Sequence, residues 1–345
     1  MGAFWFVSEC ARLTINPLPL GKLPHDLLAS LLNTLPQDPQ VVVGPRVGED
    51  AAVIDWAGGY LVVKTDPITF ATDQIGWYAV QVNANDLATT GAVPRWFMAT
   101  VLLPGGRADA AMAERIFHQI VDACQELDIT LIGGHTEITH GLDRPIVVGM
   151  LLGEVARDRL VTTGGAQPGD VVLLTKGIPI EATAIIAREK RQELQGHFEA
   201  ALLDRAAAYL VDPGISVLRD ARLAVQAGGV TSMHDPTEGG LATALWELAE
   251  ASGHTVAVTA PGWPIRPEGR LLCAFYGLDP LGAIASGALL LTVRSDAVDG
   301  VMNALARAGI DVYRLGHIRQ GGAQVLTGEG LLPRPARDEI ARLFE

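Results

Sequence analysis

The stretch VNANDLATTGAVP, residues 82–94, carries polar side chains in the middle of a predicted helix. Together with the preceding DQIGWYAVQ it spaces five residues along one face with a helical period: Ile75, Ala79, Val82, Asp86 and Thr89. Asn and Asp compete for local backbone hydrogen bonds in helix interiors, and an unpaired buried carboxylate is costly. Either the helix ends near Asn85, or Asp86 faces solvent, or another group compensates the Asp86 carboxylate.

The composition is that of a folded globular protein with room for two domains, since the 345 residues are 49% hydrophobic and 19% charged. Lys and Arg number 26 against 39 Asp and Glu, and the net charge of -13 argues against nucleic acid or an anionic membrane as the main partner. A nucleotide can still bind if metal ions bridge its phosphates to the protein. The three cysteines are widely spaced, so neither a disulfide framework nor a zinc site is indicated, and a reducing, cytoplasmic location is expected.

The start of the sequence, residues 1–20, is predicted to be an extension or an extra strand. Glu9 and Arg12 interrupt its apolar opening, so it does not resemble a secretory signal. No later segment has the roughly 18 uncharged apolar residues of a membrane span. We therefore expect no membrane association.

The remaining chain reads as two α/β sets. Residues 21–160 alternate strands with amphipathic helices, and ITLIGG and PIVVGMLLGEV are predicted to be buried strands. The Gly- and Pro-containing segment 162–170 is the candidate boundary, and residues 161–345 hold a second set of strands and helices. We predict an α/β protein with an N-terminal domain over 21–160 and a C-terminal domain over 161–345.

Carboxylates recur in small-residue turns beside predicted strands, whereas the Gly-rich phosphate-binding and zinc-protease motifs are missing. Asp50 follows Gly48 in VGEDAAV, Asp66 ends VVKTD, and Asp235 lies in SMHDPTEGG. Carboxylate oxygens are the ligands that Mg²⁺ prefers. Each residue taken singly has a simpler explanation, because Asp after Gly commonly forms a turn and Lys64 can be a surface charge at a strand end.

Taken together, the motifs resemble one superfamily. The segments GEDAAV, KTDP, VNANDLATTGAVP, LIGGHTE, GAQPGDVVLLTKG and MHDPTEGGLATALWELAE follow its order and approximate spacing. It includes aminoimidazole ribonucleotide (AIR) synthase, selenophosphate synthetase, thiamine-monophosphate kinase and the hydrogenase maturation protein HypE. The resemblance runs from about Gly21 to about Thr327. Among these members the sequence looks nearest to HypE and to the AIR-synthase-related proteins allied to it.

The resemblance implies a homodimer in which the N-terminal sheet pairs with that of a second subunit into a barrel, with a C-terminal α/β domain beside it. It implies ATP near that interface, with its phosphates held through Mg²⁺. The implied metal ligands are Asp50, Asp66 and Asp86. The implied nucleotide contacts are Lys64, Gly133, Gly134, His135 and Thr136, and Asn85 is implied either to position Asp86 or to contact the nucleotide. Glu137, Asp235 and Glu247 are implied to orient the acceptor or take part in catalysis.

The sequence also departs from each relative. HypE modifies a cysteine at its own C-terminus, whereas this sequence ends ARLFE, so no carbamoylation of residues 340–345 is expected. His135 stands where HypE has an acidic residue and looks more like selenophosphate synthetase. That enzyme, however, needs a reactive cysteine or selenocysteine that is absent near Lys22.

The function implied is therefore a Mg²⁺-dependent, ATP-using enzyme that activates or phosphorylates a small-molecule or amide-type acceptor, in metallocentre maturation if the likeness to HypE extends that far. One alternative is a small-molecule kinase resembling thiamine-monophosphate kinase. Another is a non-catalytic nucleotide-binding assembly protein. The sequence does not identify the acceptor, because a substrate pocket of this kind is built from loop residues that are scattered along the chain.

Overall fold

The computed structural model describes residues 23–36, 38–46, 48–69 and 73–344, so the extension predicted for residues 1–20 lies outside the described residues. The helices are α1 (His25–Leu32), α2 (Ile75–Thr89), α3 (Ala110–Glu126), α4 (Ile180–Glu189), α5 (Arg191–Leu194), α6 (Ala200–Ala207), α7 (Leu218–Ala227), α8 (Gly240–Ser252), α9 (Pro267–Tyr276) and α10 (Val298–Arg307). The strands are β1 (Val41–Val43), β2 (Ala52–Trp56), β3 (Gly59–Ile68), β4 (Val93–Pro104), β5 (Thr130–Thr139), β6 (Ile146–Val155), β7 (Val171–Thr175), β8 (Val230–His234), β9 (Thr255–Val258), β10 (Leu290–Val293), β11 (Val312–Arg319), β12 (Gln324–Thr327) and β13 (Gly330–Leu331).

The N-terminal half forms a six-stranded sheet in the order β1-β2-β3-β6-β4-β5. Only β4 and β5 pair in parallel, and the other neighbours are antiparallel. Helices α2 and α3 contribute to the same buried apolar cluster as β3, β4 and β6. As described, this sheet is open, with β1 and β5 at its edges, so these six strands do not by themselves form the barrel that the resemblance implies.

The C-terminal half forms a separate seven-stranded sheet in the order β13-β12-β9-β11-β7-β10-β8. Its two sides are covered by different helices, because α8 packs in one apolar cluster and α7 with α10 in another. The two sheets share no strand, which is the α/β organisation expected from the sequence. The exact domain boundary near residue 160 stays a prediction.

Strand β5 corrects one expectation. The sequence ITLIGG predicts a buried strand, but β5 is an edge strand and most of its residues are exposed. Ile132 is 52% exposed and Ile138 is 65% exposed. An apolar run is buried only where another element covers it, and among the described strands β5 has a neighbour on one side only.

Helix α2 runs through the polar stretch to Thr89, so the alternative in which it ends near Asn85 is wrong. Asp86 is 3% exposed, so the solvent-facing alternative is wrong as well. The helix lies very close to β6, since a Cβ added to Gly149 would be 2.4 Å from Asn83 Nδ2. This close approach, with the second half of the chain on its other side, buries almost every residue of α2.

In the part of the chain that the structure describes, no helix has both the length and the apolar character needed to cross a lipid bilayer.

Candidate functional site

The Asp86 carboxylate is compensated by a lysine. Lys64 Nζ on β3 lies 2.9 Å from Asp86 Oδ2 on α2 and 3.5 Å from Asp66 Oδ2, two residues along its own strand. Burial alone would favour the neutral amine, but the charges of Asp86 and Asp66 raise the pKa of Lys64 above its usual value. Burial raises the pKa of Asp86 to about 7, although the charge of Lys64 opposes the shift. Three predicted site residues therefore meet in one charged group.

A second charged group forms around His234 at the end of β8. Its Nδ1 lies 2.9 Å from Asp50 Oδ1, and its Nε2 lies 2.8 Å from Glu247 Oε2 on α8. Burial by itself would favour neutral imidazole, but the two carboxylates raise the pKa of His234 well above its usual value. The His234 imidazolium therefore forms one ion pair with the predicted metal ligand Asp50 and another with the predicted catalytic residue Glu247.

Asp235, the next residue, has a buried carboxylate with no donor. The residue is 1% exposed, and neither carboxylate oxygen has a hydrogen-bond partner among the described residues. Its backbone N–H donates to Asp50 Oδ2 over 3.4 Å. Burial, and then the charges of Asp86 and Asp50, raise the pKa of Asp235 well above its usual value. Asp235 thus connects the two charged groups electrostatically.

These carboxylates match Mg²⁺ in chemistry but not as a complete site. Within the described residues, no three His, Cys, Asp or Glu side chains are gathered closely enough to hold a metal ion. Lys64 and His234 already neutralise Asp86 and Asp50. Mg²⁺ is usually bound by one or two carboxylates together with water and substrate phosphates, so a full protein cage is not required. Asp235, whose two oxygens have no donor, is the residue best able to accept a cation.

Asn85 has a structural role. Its Nδ2 donates to the carbonyl of Ile215 over 2.7 Å, and its Oδ1 accepts from the N–H of Val217 over 2.9 Å. Both polar functions of this fully buried amide are therefore used to join α2 to the segment before α7. The amide keeps one further N–H and one oxygen lone pair, but Asn85 is 0% exposed, and its predicted nucleotide contact stays a prediction.

The predicted residues on β5 do not join the charged groups within one chain. The sheet register places Gly134 in the same row as Asp66 but three strands away, which corresponds to about 14 Å at about 4.8 Å per strand. Gly133, Gly134, His135, Thr136 and Glu137 are all exposed. His135 Nε2 lies 3.4 Å from Glu137 Oε2. The predicted site is thus divided between the β3–α2–β8 region and the β5 edge.

Two acidic residues outside the predicted site also lie near it, Glu181 buried and Glu49 partly buried. Glu181 in α4 is 5% exposed, its Oε2 has no hydrogen-bond partner among the described residues, and burial raises its pKa to about 7. Glu49 accepts from the N–H groups of Thr163 and Gly164 over 3.2 and 3.3 Å. The sequence interpretation missed Glu181, although a single Glu inside the apolar run GIPIEATAII could have indicated it. No comparable feature of the sequence indicates that Glu49 accepts hydrogen bonds from Thr163 and Gly164.

Family models match both halves of the chain. AIR synthase related protein, N-terminal domain, matches residues 48–155, and AIR synthase related protein, C-terminal domain, matches residues 167–329. The chain belongs to the AIR synthase related family. The resemblance drawn from the sequence motifs is thereby confirmed.

Individual members of the AIR synthase related family match most of the chain. It is 30% identical to carbamoyl dehydratase HypE of Bradyrhizobium diazoefficiens, over 75% of this chain and 73% of the relative. It is 29% identical to selenide, water dikinase of Nitratidesulfovibrio vulgaris (strain DSM 19637 / Miyazaki F), over 88% of this chain and 94% of the relative. The crystal structure of hydrogenase maturation protein HypE in complex with ATP shares the fold, with a TM-score of 0.68, 24% identity and 91% coverage of each chain. The chain is therefore related to ATP-using enzymes along most of its length.

Proposed function

We propose that this protein is a Mg²⁺-dependent enzyme that uses ATP to activate or phosphorylate a small-molecule or amide-type acceptor. The observation that carries the proposal is Asp235, a buried carboxylate beside Asp50 and Asp86 that has no donor among the described residues. In its ionised form such a group is costly unless a cation compensates it. Family membership supports the use of ATP, and the likeness to HypE supports an acceptor belonging to metallocentre maturation.

In this proposal the side chains of the protein position the ATP phosphates and offset their negative charge. Asp235, with one neighbouring carboxylate from the predicted set Asp50, Asp66 and Asp86, would hold Mg²⁺ together with water and the ATP phosphates, and the bound cation would offset the phosphate charge. Lys64 is fixed by two carboxylates and would contact a phosphate oxygen, because its ammonium has donors beyond those pairs. Phosphoryl transfer depends mainly on such positioning and neutralisation.

We further propose that the enzyme acts as a homodimer joined through β5. The exposed apolar side chains of this edge strand would be covered by the partner's sheet, which would remove an unpaired edge. The nucleotide contacts predicted on β5 would then lie at the interface rather than beside Lys64 of the same chain. Glu137 and His135 would orient the acceptor there.

The test is ATP affinity measured by calorimetry with and without Mg²⁺, using Asp235→Asn and the exposed Asp158→Asn as a charge-matched control. A charged hydrogen bond or metal contact is worth about 1.5–3 kcal/mol, so Asp235→Asn should weaken Mg²⁺-ATP binding about tenfold or more. The control should bind as the wild type does. Unchanged Mg²⁺-ATP affinity in Asp235→Asn would exclude this residue as the cation ligand.

Turnover separates the remaining alternatives. ADP formed together with a phosphorylated, stable product would indicate a small-molecule kinase. ADP and inorganic phosphate formed only with the acceptor would indicate activation followed by a second step. Tight ATP binding without turnover would indicate an assembly protein rather than an enzyme.

A further inference from the structure

A cavity of about 710 Å³ lies where the C-terminal end of α2, the start of β4 and helix α7 meet. Its volume is in the range of sites that take small organic molecules. None of the carboxylates of the candidate site lines it. The cavity is therefore separate from the proposed ATP site, and a ligand can bind there whether or not the proposed function is correct.

Three of the arginines that line this cavity have no carboxylate partner among the described residues. Arg219 and Arg222 on α7, with Arg159 after β6, are exposed and form no ion pair in the described part of the chain. The chain has 39 acidic against 26 basic residues, so acidic partners are not scarce. The neighbouring Asp220 does not neutralise them, because its carboxylate is buried against Lys176 at 3.4 Å.

The other charges in the lining limit what can bind. A fourth arginine, Arg95, is already paired with Glu154 at 4.0 Å. Glu126 and Asp128 lie at the end of α3. They would repel a ligand that is anionic along its whole length. The charges therefore favour a ligand with a single compact anionic group, which would contact the arginines of α7.

The rest of the lining is suited to an apolar body. Ala88, Leu218 and Val225 line the cavity, and Val93 at its rim is 60% exposed. Guanidinium groups bind phosphate oxygens through paired N–H donors. We propose that this cavity binds a small organic phosphate monoester with an apolar body, its phosphate held by Arg219, Arg222 and Arg159.

The probe is 1-naphthyl phosphate, titrated by its fluorescence in EDTA without nucleotide. We expect saturable 1:1 binding, with 1-naphthol and inorganic phosphate each binding at least tenfold more weakly, because each lacks half of the recognised chemistry. Arg219→Ala combined with Arg222→Ala should weaken binding at least tenfold. Arg159→Ala, on a different segment, should weaken it about threefold or more.

The matched control combines Arg270→Ala with Arg307→Ala. These arginines are also exposed helical residues without an ion pair among the described residues, and they lie outside the cavity. The control carries the same charge change and should bind as the wild type does, and thermal melts confirm folding of every variant. No saturable binding by the wild type, or an equal loss in the control and in the α7 pair, would overturn the proposal.

Discussion

Replacing Lys64 by Met should destabilise the protein in a strongly pH-dependent way. The 2.9 Å separation from Asp86 corresponds to an attraction of about 6 kcal/mol at an effective dielectric constant of about 20. Part of this is offset because the lysine no longer has to be desolvated. Removing one partner of a buried pair typically costs about 3–5 kcal/mol, which is the loss of unfolding free energy expected at pH 8.5.

The loss should shrink at low pH. Burial raises the pKa of Asp86 to about 7 against the opposing charge of Lys64, and without Lys64 the pKa rises further. A carboxyl with a raised folded-state pKa favours the folded protein when protonated and loses that contribution as the pH rises through this pKa. At pH 5 Asp86 is mostly protonated, so only the more exposed Asp66 pair is lost, which costs about 1 kcal/mol or less.

The assay is urea denaturation of the wild type and Lys64→Met at pH 5, 7 and 8.5. Lys190→Met serves as the control, because the Lys190 ammonium lies over the ring of Phe344 at 5.3 Å rather than against a buried carboxylate. A loss for Lys64→Met that is equal at pH 5 and pH 8.5, or below about 1 kcal/mol at both, would refute the buried ion pair as a stabilising contact.

Three further outcomes are expected. Asn85→Ala should lower the unfolding free energy by about 2–4 kcal/mol, because two buried backbone groups at 215–217 lose their partner; an unchanged urea midpoint would contradict this. Gly134→Ala should lower the unfolding free energy by about 1–3 kcal/mol more than Gly133→Ala does. A Cβ at Gly134 would lie 2.1 Å from a β4 carbonyl oxygen, whereas a Cβ at Gly133 would have its nearest atom at 4.0 Å. Equal melting temperatures of the two variants would contradict the close approach. Light scattering at micromolar concentration should show a dimer that Ile138→Asp converts to a monomer, and a monomeric wild type would disprove the β5 interface.

Local sequence was sufficient for much of the fold. The period of Ile75, Ala79 and Val82 predicted α2, and the apolar runs predicted most strands, because these patterns depend on neighbours within a few residues. Local sequence was not sufficient to predict the exposure of β5. ITLIGG has the composition of a buried strand, and only the order of strands in the sheet shows that it lies at an edge.

The sequence by itself reduced the question of Asp86 to three alternatives, in which the helix ends early, the carboxylate faces solvent, or another group compensates it. It also determined the family, because several motifs in order are far more specific than any one of them. The tertiary structure alone decided the partners: Lys64 for Asp86, His234 for Asp50, and the 215–217 backbone for Asn85. These contacts join residues distant in sequence, and their choice depends on how two sheets and α2 pack, which no local pattern specifies.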